Sequence, residues 1–242
     1  MPHSNDQKNT RQFTQVQDFI LNESKGKHIL LLYEEPERAR EIEFQFIKHG
    51  LEHAEHCTFM IHIDEQENNN NNNNSHDPGD HHKNHSLECI EIEMKDAGIN
   101  VDAYQEAKQL RIFPLLNLIK KAGGIDNISG IWDGIEELDK DLFGKIEAPF
   151  RGVGIRLPVN KLQGEDRINA LAIQVDIEKK SQNEFGCGNF KGSWICPYRV
   201  DNLADSLEGE QSGLQLLSLI INHHAVIYAP ALKAPVVFRV SS

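Results

Sequence analysis

Glu34, Glu35, Pro36 and Glu37 stand where an apolar run, HILLLY (28–33), meets an amphipathic stretch, PERAREIEFQFIKHGLEHAE (36–55). At such a strand-to-helix turn a nucleotide-binding protein places glycines and a lysine. The glycines let backbone N–H groups close on phosphate, and the lysine neutralises its charge. No glycine lies between His28 and Gly50 here, and three glutamates would repel a triphosphate. Arg38 and Arg40 fall inside the predicted helix, away from the lysine position. An acidic turn complements the positive end of a helix dipole. The expectation is a pocket that keeps its location, changes its ligand and does not hydrolyse nucleotide.

Histidines form a second group. His49 and His53 lie one helical turn apart, a spacing that can ligate a metal, and His56 follows. His76, His81, His82 and His85 sit in an Asn-rich tract. No nearby cysteine or carboxylate pattern completes a familiar site, so these side chains are expected to be solvated, with no metal and no cofactor.

A third group lies in WICPYRV (194–200). On a strand, Trp194, Cys196 and Tyr198 share one face and Ile195 points to the other. Cys196 as a nucleophile would need a base beside it. The local sequence supplies none, and His223 and His224 can approach only through the fold. Cys196 is therefore expected as a buried core residue rather than a catalytic one. His28 begins the first apolar run and Tyr33 ends it, about 16 Å apart at strand rise, so the two cannot line one small site. Ligands of open α/β sheets bind beyond the carboxyl ends of the strands. Tyr33 and Tyr198 are thus predicted to face a common cavity there, with Cys196 as a soft wall and Glu34, Glu35 and Arg38 at the mouth. His28 is predicted to order the opposite edge together with His224.

These groups must be positioned by a chain of 242 residues, enough for one large domain. A net charge of −12 argues against a general nucleic-acid or anionic-membrane binder. The four cysteines are far apart without a CxxC, and the polar start MPHSNDQKNT has no apolar signal core. No apolar run approaches the eighteen or so residues of a membrane span. A cytoplasmic setting is the expectation. Residues 1–25 read as a tail with a short helix. Residues 26–242 read as a single domain in which strand and helix alternate, which predicts an α/β sandwich around a mostly parallel sheet. Strands are predicted at HILLLY, CTFMIHI, QLRIFPL, FRGVGIRLP, GSWICPYRV, AVIYAP and PVVFRV. A short Pro-containing link before PVVFRV allows an antiparallel pairing of the last two. Helices are predicted at RQFTQVQDFILN, PERAREIEFQFIKHGLEHAE, LECIEIEMKDAG, ISGIWDGIEELDKDLF, EDRINALAIQVDIEKKSQNEF and SGLQLLSLIINHH.

Residues 66–86, with a run of seven Asn and almost no apolar side chains, read as a disordered insertion. Replacing them by a short Gly-Ser link is expected to leave cooperative thermal unfolding intact, because doubling a surface loop costs only about 0.6 kcal/mol. A broad, non-cooperative melt of the shortened chain would show that the tract packs against the domain.

Several stretches together resemble the MEDS family, the methanogen/methylotroph sensory domain also found in dichloromethane-responsive regulators. They are HILLLYEEPE, FIKHGLEHAEHCTFMIHI, MKDAGINVDAYQEAKQLRIFPL, WICPYRV and LLSLIINHH, spread over roughly residues 26 to 228. The resemblance implies a three-layer, RecA-like α/β domain related to clock-type ATPases with its nucleotide motifs degraded. It also implies a role in sensing small hydrocarbon derivatives. The chain departs from the pattern in its Asn/His-rich insertion and in GVGIRLPVN, which lacks the acidic residue often found just after that strand. It also has no recognisable helix-turn-helix, kinase or receiver segment. The resulting expectation is a non-enzymatic sensory and signal-transduction domain. It would bind a small organic ligand and signal to a separate signalling or transcriptional partner, without direct nucleic-acid or membrane contact. A homo-oligomer stays open. The alternatives are a divergent RecA-like ATPase and a ligand-free scaffold. A concave polar-aromatic pocket favours the sensor, and a strand end packed solid favours the scaffold.

Overall fold

The computed structural model of the chain describes residues 15–61, 87–114, 121, 149–154, 172, 174–183, 192–204 and 210–240. The predicted insertion at 66–86 and the predicted helix at 128–143 lie outside the described residues.

Seven strands form one sheet: β1 (His28–Tyr33), β2 (His56–Ile61), β3 (Leu110–Pro114), β4 (Phe150–Val153), β5 (Gly192–Arg199), β6 (Ala225–Ala229) and β7 (Val236–Arg239). Their order is β3-β2-β4-β5-β1-β6-β7. All neighbours pair parallel except β6 and β7, which pair antiparallel. The continuous apolar run of β1 is explained by this sheet, since an inner parallel strand is covered on both faces. Ile29, Leu30, Leu31, Ile195 and Cys196 are fully buried.

The helices are α1 (15–22), α2 (Pro36–Glu52), α3 (Leu87–Asp96), α4 (Val101–Glu106), α5 (174–183), α6 (Val200–Ala204) and α7 (Glu210–Ile221). Pro36 opens α2, where its missing N–H costs nothing. Ala39, Ile42, Phe46, Ile47 and Leu51, the stripe visible in the sequence, are its buried face. They join Ile29, Leu31, Tyr33, Ile195 and Ile227 in one core, to which α1 adds Val16, Phe19 and Ile20 and α3 adds Ile90 and Met94. Near its end α2 comes so close to β4 that a Cβ on Gly50 would stand 2.6 Å from Arg151 Cδ and 2.8 Å from Cys57 Sγ. α5 lies on the other face of the sheet, where its Glu178 meets Cys196 and Tyr198. Two short helices are not apparent in the periodicity. α4 begins where the Asn100 side chain accepts a hydrogen bond from Ala103 N, and α6 follows directly on β5. Among the described residues no helix is long and apolar enough to cross a membrane.

Candidate functional site

At the β1–α2 turn the acid is built into the frame. Glu34 accepts hydrogen bonds from the Tyr228 hydroxyl and from Ala231 N at 2.8 Å, and its own N–H donates to Ala229 O. The Ala231 N–H, and then the Tyr228 phenol, hold its carboxyl below the ordinary range. Tyr228 is held above the ordinary range for a phenol, first by its hydrogen bond to Glu34. Glu35 is the exposed N-cap residue of α2 and makes no side-chain cap. Arg38 lies 3.5 Å from Glu41 on the helix surface, and Arg40 pairs at 2.8 Å with the buried Glu43. Neither arginine occupies the place of a phosphate-loop lysine.

The cavity expected between Tyr33 and Tyr198 does not form. Tyr198 is in register with Leu32, and Tyr33 with Arg199. The two tyrosines share the carboxyl edge of the sheet, but a one-residue offset sends them to opposite faces. Tyr33 is buried in the core under α1 and α2. Tyr198 donates to Glu178 Oε1 at 2.5 Å on the other side. Cys196 shares that second face, away from the turn that carries Glu34, Glu35 and Arg38. The half-buried aromatic that meets Glu34 at this turn is Tyr228 of β6.

The densest polar chemistry among the described residues lies instead at the start of β1 and the middle of β5, on the face covered by α5. His28, Glu178, Cys196 and His223 are all buried, and one ligand atom from each falls within 4.8 Å of the others. His28 Nε2 stands 3.0 Å from Glu178 Oε2 and 3.3 Å from Cys196 Sγ. Cys196 Sγ stands 3.3 Å from the same carboxylate oxygen. His223 Nε2 approaches it to 3.4 Å without meeting hydrogen-bond geometry. The two imidazoles stack, with centroids 4.0 Å apart. Burial, then the neighbouring His223, lower the proton affinity of His28. Burial, then the Glu178 carboxylate, push both the Cys196 thiol and the Tyr198 phenol well above their ordinary ranges. A thiol held as S–H and sealed from solvent is the reverse of what a nucleophilic cysteine needs.

His224 meets His28 through the backbone. Its ring Nδ1 accepts from His28 N at 3.0 Å, and its own N–H donates to His28 O at 2.7 Å. The rings of His49 and His53 lie 4.1 Å apart and tilted by 45° at the end of α2, where His53 Nδ1 donates to His49 O. They are not part of the buried group. Sequence reasoning missed Glu178, and a signal for it exists. Asp176, Lys179, Lys180 and Asn183 mark the solvent face of α5 and are exposed. Gln174, Glu178 and Ser181 therefore fall on the buried face.

No known family profile and no curated protein matches the chain in sequence. Among solved structures, it is similar to the KaiC-like protein of the hyperthermophilic archaeon Pyrococcus horikoshii OT3, with a TM-score of 0.55. The match covers 90% of this chain and 81% of that one at 13% identity. Sheet, helices and likeness together show a RecA-like α/β fold.

Proposed function

We propose that this chain is a sensory domain of the MEDS type on a RecA-like frame, which binds a small organic ligand and does not hydrolyse nucleotide. The observation that carries this reading is the β1–α2 turn. In that turn a carboxylate tied to Tyr228 and Ala231 N takes the place where a nucleotide enzyme offers glycine N–H groups and a lysine. The ligand mouth would lie at the carboxyl edge beside the Glu34–Tyr228 pair, with Glu35 and Arg38 at its rim. A tyrosine there offers a ring and a hydrogen-bonding tip to a small polar-organic molecule. The signal passes to a separate partner protein when the ligand favours one of two arrangements of the surrounding elements. α7 is suited to carry such a change. It runs directly into Asn222, His223 and His224 at the buried group, while Leu214, Leu217 and Ile221 on its outer side are exposed.

The KaiC-like likeness favours one rival, a divergent ATPase, and kinetics separates the two. Steady-state assays with magnesium and ATP or GTP are expected to show no turnover above about 1 s⁻¹, a modest rate for an enzyme. Native mass spectrometry of the purified protein is expected to show a retained small molecule that Glu34→Gln releases. Turnover above that rate, abolished by Arg38→Ala, would replace the sensor by the ATPase.

A further inference from the structure

We propose that Nε2 of His28, Nε2 of His223, Sγ of Cys196 and Oε2 of Glu178 form a four-ligand site for one divalent transition-metal ion of the zinc class. This inference goes beyond the sensory reading and does not depend on it.

Ring orientation is the first support. Nδ1 of His28 lies 2.9 Å from Asn222 O, and Nδ1 of His223 lies 2.5 Å from Leu219 O. A carbonyl oxygen only accepts, so both Nδ1 atoms carry the proton and both Nε2 atoms present lone pairs. Metal-bound histidines are held this way, with the far nitrogen donating to a carbonyl or carboxylate. The two Nε2 atoms lie 3.0 and 3.4 Å from Glu178 Oε2, which itself only accepts when ionised. The one proton among the four donor atoms is the Cys196 S–H, and it faces Glu178 Oε2 and His28 Nε2 at the same distance, 3.3 Å. His223 Nε2 has no hydrogen-bond partner among the described residues. Four converging electron pairs with one proton between them make a cage for a cation.

Spacing and charge agree with this. Zinc bonds of about 2.0–2.3 Å give tetrahedral ligand–ligand edges of roughly 3.3–3.7 Å. Four of the six separations among the ligand atoms run from 3.0 to 3.4 Å, and all six lie within 4.8 Å, so side-chain adjustments of about an ångström suffice. On binding, the Cys196 S–H bond breaks, a sulfur–metal bond forms and the proton leaves to solvent. One thiolate and one carboxylate then cancel the two positive charges, and the buried ensemble is neutral. A mixed imidazole, thiolate and carboxylate set of four suits zinc. It also leaves no open coordination position, which makes the site structural or regulatory rather than catalytic. The outer contacts fix the ligands: Tyr198 hydroxyl holds Glu178 Oε1 at 2.5 Å, and Gln182 Oε1 lies 3.3 Å from His28 Nδ1. The ion would join β1, α5, β5 and the segment entering β6.

The test uses the full chain with His76, His81, His82 and His85 changed to Ser, so that the Asn/His tract cannot hold metal. Elemental analysis after purification is expected to give one zinc-class ion per chain. Chelation is expected to lower the melting temperature, and stoichiometric zinc to restore it. Cobalt(II) loading is expected to give the intense visible bands of a tetrahedral ion and a near-ultraviolet thiolate-to-cobalt charge-transfer band. Cys196→Ser should abolish the charge-transfer band, His223→Gln should lower metal affinity at least 100-fold, and Cys89→Ser should change neither. If the first two variants fail to fold, the cobalt spectrum of the parent decides alone. Metal bound only when the tract histidines are present would overturn the site. So would cobalt binding without the charge-transfer band, or a melting temperature indifferent to chelator and zinc.

Discussion

Gly152→Ala is expected to destabilise the protein by about 3 kcal/mol, at the upper end for overpacking a dense interior. Gly152 sits in β4 directly opposite Trp194 of β5. A Cβ there would stand 2.0 Å from Trp194 Cζ3 and 2.1 Å from Cε3. The indole has little room to yield. Its Nε1 donates to Gly154 O at 2.7 Å, and its ring stacks on Phe150 with centroids 5.7 Å apart. Trp194 is also in register with His28, so a shift of the indole would reach the buried histidine group. Urea unfolding should show a lower midpoint with an unchanged slope. Adding Trp194→Leu to Gly152→Ala should cost less than the sum of the two single changes, because the added methyl then enters space the indole has left. A Gly152→Ala variant within 0.5 kcal/mol of the parent would show that the β4–β5 packing is looser than described.

Arg151→Leu is expected to cost about 3–5 kcal/mol, the range for breaking a buried ion pair by removing one partner. The Arg151 and Glu55 side chains are 3% and 9% exposed and form a close charge-assisted pair. Arg151 also donates to Ser24 Oγ at 3.3 Å and lies over the Phe46 ring at 4.7 Å. Its removal strands Glu55 among groups that cannot solvate it and takes away contacts to Ser24 and to Phe46 of α2. Arg151→Leu with Glu55→Leu should recover much of the loss, since a buried pair replaced by apolar groups of similar volume is often close to neutral. The loss should change little with added salt, because buried pairs are poorly screened. A loss below 1 kcal/mol for Arg151→Leu, measured by chemical denaturation, would show that water reaches Glu55.

Some of this protein was determined locally and was therefore legible in its sequence. The run at 29–33 is apolar throughout, as a strand covered on both sides requires, the stretches at 56–61 and 192–199 read as further strands, and the stripe from Ala39 to Leu51 has helical period. Alternation of the two made the sheet mostly parallel, and the short link before Val236 made its last pair antiparallel. The glycine-free, acidic turn at Glu34 was visible for the same reason: it is a property of neighbouring residues. The centre formed by His28, Glu178, Cys196 and His223 is of another kind. Its members lie up to 195 residues apart, numbered 28 and 223, and only the order β4-β5-β1-β6 brings their elements together. Register decided the rest. With a side-chain period of two, one residue of offset between β1 and β5 put Tyr33 into the core under α2 and left Tyr198 with Glu178 on the far face. Periodicity tells which residues of a strand share a face. It does not tell which face that is, or which residue stands beside them, because both depend on hydrogen bonds to strands distant in the chain.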